Sequence, residues 1–192
     1  MIWLILGLLV FLGVHSIRAL APAWREARIE SMGERTWKLV FSVVSIAGFV
    51  LLLWGYGQAR SEGSPLLWSP PLGLRHLASL LTLPAFVLLV AAYVPRNHFK
   101  ARLGHPMTLA VKLWALAHLL VNGALHDVLL FGGFLLWAVL VFRAARRRAP
   151  APGSGGSALG TTLSLVIGLA AWAAFAFYLH VRWIGVPPFA MS

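Results

Sequence analysis

Seven histidines and no cysteine bound the chemistry open to this 192-residue chain. Thiolate ligands and disulfides are excluded. Asp and Glu total five, and only Asp127 lies beyond residue 63. That argues against a carboxylate-rich metal site and against a paired-carboxylate acid/base mechanism. No nucleophile elbow, phosphate loop or dinucleotide fingerprint is present. His15 and His118 lie deepest within apolar stretches. Two neutral imidazoles from different helices can hold one haem iron from opposite faces, and a bundle core is a usual place for such a cofactor. The alternative is a buried histidine hydrogen-bonded to a neighbouring helix.

The stretch from His105 to Gly123 organises the rest. It reads as one apolar helix opened by Pro106, which suits a first turn because its missing N–H would have no partner there. Trp114, His118 and Asn122 recur at i, i+4 and i+8, so they project on roughly one side, and that side is expected to face a buried ligand. Lys112 lies in the same helix. A central lysine costs about 2.5–3.5 kcal/mol on insertion scales, so Lys112 either snorkels to the interface or, with Arg18, neutralises an acidic group such as a haem propionate. His105 falls nearly opposite His118 and reads as a cap or headgroup contact. His76 and His126 read as outer-surface residues, and His98 as a loop residue. His180, near the end of the last apolar run, is a reserve ligand. One difficulty concerns depth. His15 lies about 8 Å from the basic end of its helix and His118 about 18 Å from the same side.

The elements that must carry these residues are long apolar runs. The chain is 60% hydrophobic and 11% charged, with a mean hydropathy of +0.83, far from a soluble composition. Runs at about 2–20, 37–56, 73–94, 106–124, 128–142 and 159–184 each suit a membrane core of about 30 Å. They are continuous and not alternating, so a transmembrane barrel is disfavoured. The first run lacks the flanks of a removable signal peptide and reads as a retained helix. Residues 21–36 read as a polar link, 57–71 and 95–104 as loops, and 149–157 as a flexible Gly/Ser/Pro linker. Pro84 predicts a kink. Small residues from Gly168 to Ala174 predict close packing of the last helix.

The predicted fold is therefore all-α: one domain, 1–192, with six transmembrane helices. Of sixteen Lys and Arg, twelve fall in the links after runs one, three and five, and three (Arg60, Arg75, Arg182) on the other side. The positive-inside rule then places both termini away from the cytoplasm. The net charge of +11 is an orientation signal, and no groove-reading or stacking motif accompanies it, so nucleic acid is not an expected partner. Trp3, Trp24, Trp37, Trp54, Trp68 and Trp183 fall near run ends, as interfacial tryptophans do.

Val14-His15-Ser16-Ile17-Arg18, Gly104-His105-Pro106-Met107 and Lys112-Leu-Trp114-Ala-Leu-Ala-His118-Leu-Leu-Val-Asn122-Gly123 closely resemble the NnrU family. Ser45-Ile-Ala-Gly48-Phe and Trp68-Ser-Pro-Pro71 fit it too. The family consists of integral membrane proteins associated with denitrification and nitric oxide metabolism. The resemblance implies a multi-pass protein of the bacterial inner membrane, with the bilayer as partner and nitric oxide or a hydrophobic small molecule as a possible ligand. The chain is also similar to the 15-cis-zeta-carotene isomerase family, whose histidine ligands match His15 and His118. This likeness implies a bis-histidine haem b site and, were the chain an enzyme, a haem-dependent cis–trans isomerisation of a polyene lipid; Arg18, Lys112, Trp114, Asn122 and His105 are the further residues expected to bind the cofactor. The isomerase's charged, aromatic tail is replaced here by an arginine cluster, the linker and another apolar helix. The His-Pro pair also looks like that of isoprenylcysteine methyltransferases, but their Glu-rich tail is absent. A cofactor-free membrane assembly or regulatory factor is the remaining class.

Overall fold

A continuous apolar segment must satisfy its own main-chain N–H and C=O groups in lipid, and the helix is the way one segment does so. The computed structural model describes residues 1–71, 73–148 and 155–189, and no strand occurs among them beyond two isolated bridges. Eight helices follow in order: α1 (Ile2–Leu20), α2 (Pro22–Met32), α3 (Glu34–Ser61), α4 (Leu74–Tyr93), α5 (His98–Leu103), α6 (Pro106–Val121), α7 (Leu125–Arg148) and α8 (Ala158–Ile184). A π-helical turn, Phe175–Leu179, interrupts α8.

Five of these, α1, α3, α4, α7 and α8, are long and apolar enough to cross a membrane. The fourth expected run, α6, has 16 residues and rises about 24 Å, short of a core of about 30 Å. Large apolar side chains stay exposed along these helices, among them Leu9, Leu39, Val43, Leu80, Leu136 and Val166. Their outer surfaces need lipid to cover them, and the protein is a multi-pass membrane helix bundle.

Four links differ from expectation. The expected loop 57–71 is shorter, because α3 runs on to Ser61. Residues 21–36 are not an open link: Pro22 starts α2, where its missing N–H costs nothing, and Gly33, at φ 84°, turns the chain into α3. The 95–104 segment is likewise part helix. The Asn97 side chain accepts the Lys100 N–H at 2.8 Å and opens α5. His98 is consequently not a free loop residue, since its Nδ1 meets Thr161 Oγ1 at 2.8 Å and ties α5 to α8. Of the expected linker, 149–154 lie outside the described residues. Its end is anchored, with Ser157 N donating to the Arg96 carbonyl at 2.6 Å and the Ser157 side chain capping α8 at Gly160.

The bundle has two halves. In one, α1 packs on α3 and α7 around Leu4, Leu8, Leu52, Ala59, Leu130 and Phe131. There Gly7 and Gly55 bring α1 and α3 so close that a Cβ on either would strike the other helix's backbone. In the other, α4 packs on α6 and α8, and Gly168 of α8 sits against the Val87 backbone as the small-residue stretch predicts. The α6–α7 contact joins the halves. Pro84 lies inside α4 and the helix continues past it. At one end Arg60 of α3 donates to the Ile184 carbonyl of α8 at 2.9 Å, a bond between the two halves.

The link before α4 also folds inward. Leu67 N donates to the Gly123 carbonyl at 2.7 Å and Leu125 N to the Pro65 carbonyl at 2.9 Å. This cover buries His126 and Asp127, both 7% exposed. The expectation that His126 lies at an outer, solvated surface is thus corrected. Trp37, expected at an interface, is also buried, at 8% exposure. Trp24 of α2 packs edge-on against it at 5.9 Å. Trp3, Trp24, Trp54, Trp68 and Trp183 are exposed, and so is His76.

Candidate functional site

The i, i+4, i+8 side of α6 does face a cavity. It measures about 680 Å³, lies among α4, α6, α8 and the segment after α8, and includes Trp114, His118, Asn122, Trp172, Phe175 and His180 in its lining. Cavities that hold small molecules run from about 300 to 1,000 Å³.

His118 is held on three sides. Its Nδ1 meets the Trp114 carbonyl at 2.8 Å, so Nδ1 carries the proton and Nε2 keeps its lone pair. Phe131 of α7 stacks on the ring at 4.6 Å, and Trp114 sits 5.2 Å away. Asn122 Nδ2 donates to the His118 carbonyl at 2.9 Å, satisfying a helix-end acceptor. His180 repeats the pattern. Its Nδ1 meets the Val186 carbonyl at 2.6 Å, which again leaves Nε2 as the free ring atom. This bond exists because Gly185, at φ 78°, reverses the chain after α8 and brings Val186 back. The π turn directly before His180 adds a residue to the helical turn and so changes which face the following residues present. Such bulges recur at functional sites. Trp172 Nε1 donates to Thr82 Oγ1 at 3.1 Å and pins α8 to α4 beside the cavity.

His15 is elsewhere. It lines a second cavity, of about 430 Å³, with Arg18, Arg25, Trp37, Lys38 and Phe41. Its Nδ1 meets the Phe11 carbonyl at 2.7 Å, and its ring neighbours are Phe11, Phe41 and Trp137. His15 therefore contacts α7 at Trp137 while His118 contacts it at Phe131. Six positions of helix separate those contacts, about 9 Å of rise, which matches the depth difference expected from the helix ends. Two axial ligands of one metal need their donor nitrogens about 4 Å apart, twice a metal–imidazole bond of about 2 Å. The structure does not bring His15 and His118 to one cavity.

The other expected site residues separate likewise. Arg18 belongs to the His15 cavity. Lys112 Nζ lies 3.6 Å from the Phe142 ring centroid, a cation–π contact on α7 and not a place in the His118 cavity. His105 turns its ring edge to the same Phe142 at 6.1 Å, makes no side-chain cap, and leaves a buried Nε2 without a protein partner. Among the described residues no group of three or more His, Cys, Asp or Glu could hold a metal ion.

A buried polar cluster escaped the sequence reading. Tyr56 Oη donates to Asp127 Oδ1 at 2.7 Å, and His126 Nε2 lies 3.5 Å from the same oxygen. The signal was there: Asp127, the one carboxylate side chain beyond residue 63, stands beside a histidine. Its partner Tyr56 lies 71 positions away, and only the fold pairs them.

The model of the family described as NnrU protein matches residues 3–188. No curated protein and no solved structure matches the chain. With nearly its whole length covered, the chain belongs to the NnrU family.

Proposed function

We propose that this protein holds a b-type haem in the cavity among α4, α6 and α8, where His118 and His180 would hold its iron. The observation that carries the reading is that two histidines on different helices line one cavity, each with Nδ1 engaged by a main-chain carbonyl. Metal-binding histidines commonly donate their second ring N–H in this way, which fixes the tautomer and the ring plane. The donor set fits a haem: two imidazoles with Nε2 free, aromatic rings at Trp114, Trp172 and Phe175, and an otherwise largely apolar wall.

A haem held there by two histidines would supply one-electron transfer. The chain's own residues orient the imidazoles: the Trp114 and Val186 carbonyls engage each Nδ1 and leave each Nε2 free. We assign the protein to membrane redox chemistry connected with nitric oxide or denitrification, a link that the NnrU resemblance supports. Six spans and two non-cytoplasmic termini complete the proposal, supported by the charge asymmetry and by α6 lying between α4 and α7. The apolar wall formed by Ala85, Phe86 and Leu89 beside the same histidines favours a second reading, isomerisation of a polyene lipid.

The test is the absorption spectrum of the protein purified from membranes. A low-spin haem b spectrum is expected. Carbon monoxide added to the reduced protein then separates the readings: an unchanged spectrum supports electron transfer, and a rapid shift supports exchange of one ligand for a bound molecule. Protein that contains no haem and takes none up would leave a cofactor-free membrane factor.

A further inference from the structure

The second cavity has no part in that reading. It lies where α1, α2 and α3 meet, at the end of the bundle that carries most of the basic residues. Arg18, Arg25 and Lys38 line it against one carboxylate, Glu34, an excess of two positive charges before His15 is counted. Glu34 is committed to Lys38 at 2.7 Å. The Arg25 guanidinium lies 6.0 Å from the centroid of Trp37, the buried aromatic side chain of the lining. Arg148 of α7 adds another guanidinium nearby, donating to the Arg18 carbonyl at 3.0 Å. Like charges gathered in one concavity repel unless an anion joins them, and guanidinium forks suit phosphate oxygens.

The surroundings say which anion. The polar helix α2 has no buried residue and carries Trp24, 47% exposed, as interfacial helices carry their aromatic anchors. Just past Lys38 along α3, Val40, Val43 and Val44 are exposed. A charged cavity with exposed apolar residues next to it along α3 suits a molecule with a phosphate at one end and hydrocarbon at the other. Basic pockets between membrane helices bind anionic headgroups by the same physics. We propose that the α1–α2–α3 cavity binds the phosphate headgroup of an anionic phospholipid, with Arg18 and Arg25 as its main contacts and the acyl chains along α3.

Native mass spectrometry of the full-length protein in a nonionic detergent tests this, with phosphatidylglycerol and phosphatidylcholine of matched chains as probes. One retained phosphatidylglycerol is expected, with at least about tenfold preference over phosphatidylcholine. At the strength that one basic residue near a membrane surface contributes, the double variant Arg18→Gln/Arg25→Gln should bind it about thirtyfold more weakly. Arg96→Gln/Arg102→Gln, which removes equal charge at α5, should bind within twofold of the parent. Equal retention of the two lipids, or equal losses in the two double variants, overturns the proposal. So does inorganic phosphate that raises the melting temperature as much as phosphatidylglycerol does, since that marks a free-anion site. Circular dichroism shows whether each variant keeps its helix. Were the arginine variant to unfold, the lipid preference of the parent protein still decides.

Discussion

His118 and His180 line one cavity from α6 and α8, and each ring commits its Nδ1 to a main-chain carbonyl, Trp114 at 2.8 Å and Val186 at 2.6 Å. Two histidines 62 positions apart thus share a tautomer and a cavity. This arrangement needs α6, the π turn of α8 and the Gly185 reversal together.

Lys112 belongs to α7 and not to the cavity, because its Nζ lies over Phe142 at 3.6 Å. Lys112→Met is therefore expected to leave the haem content and the reduction potential unchanged. It should cost about 0.5–2 kcal/mol of stability through the lost cation–π contact. Redox titration and a thermal melt in detergent read the two effects. A shifted potential would return Lys112 to the cofactor.

Asp127 is a buried carboxylate whose donor is Tyr56 at 2.7 Å. Tyr56→Phe removes that donor, and an acceptor left buried without it costs about 1–3 kcal/mol. A clear fall in melting temperature is expected. Tyr178→Phe, at a 62% exposed side chain, should leave the melt unmoved. Equal melts for the two variants would show that the Tyr56–Asp127 bond contributes nothing.

At Gly55 the α1–α3 approach leaves no room for a Cβ, whereas Gly57 on the same helix has open space around it. Gly55→Ala should therefore destabilise by about 1–3 kcal/mol, the usual cost of overpacking. Gly57→Ala should be neutral or stabilising by up to about 1 kcal/mol, since Ala is the better helix former. The same thermal melt checks the pair, and a stabilising Gly55→Ala would mean that the helices do not cross there.

Reporter fusions address the 16-residue α6. A reporter within 149–157 and one at the C-terminus should fall on opposite sides of the membrane if α8 spans it, and a reporter at the N-terminus should share the side of the C-terminal one. Finding the N- and C-terminal reporters on different sides would leave an odd number of spans, with α6 the element that fails to cross.

The long apolar helices were legible, five of them long enough to span, because a run such as Ile2–Leu20 can do little else in lipid, and its helix begins and ends where its apolar residues do. The face of α6 was legible too: three residues at fourfold spacing line one cavity. Pairings between distant elements were not. Nothing near His126 announces that residues 65–67 fold over it, and nothing near His15 says that it lines a cavity other than that of His118. Helix α2 was misread because charged residues every few positions look the same in a link as on an exposed helix. His180 stood only in reserve because its place depends on a π turn, a one-residue irregularity without a composition of its own.

The most direct measurement compares haem spectra of three single variants purified in parallel. His118→Ala and His180→Ala are each predicted to abolish the low-spin spectrum or convert it to a five-coordinate form. His15→Ala is predicted to leave it unchanged, because His15 lines the other cavity. Loss of the low-spin spectrum in His15→Ala, with His180→Ala unaffected, would contradict the account and restore the pairing of His15 with His118.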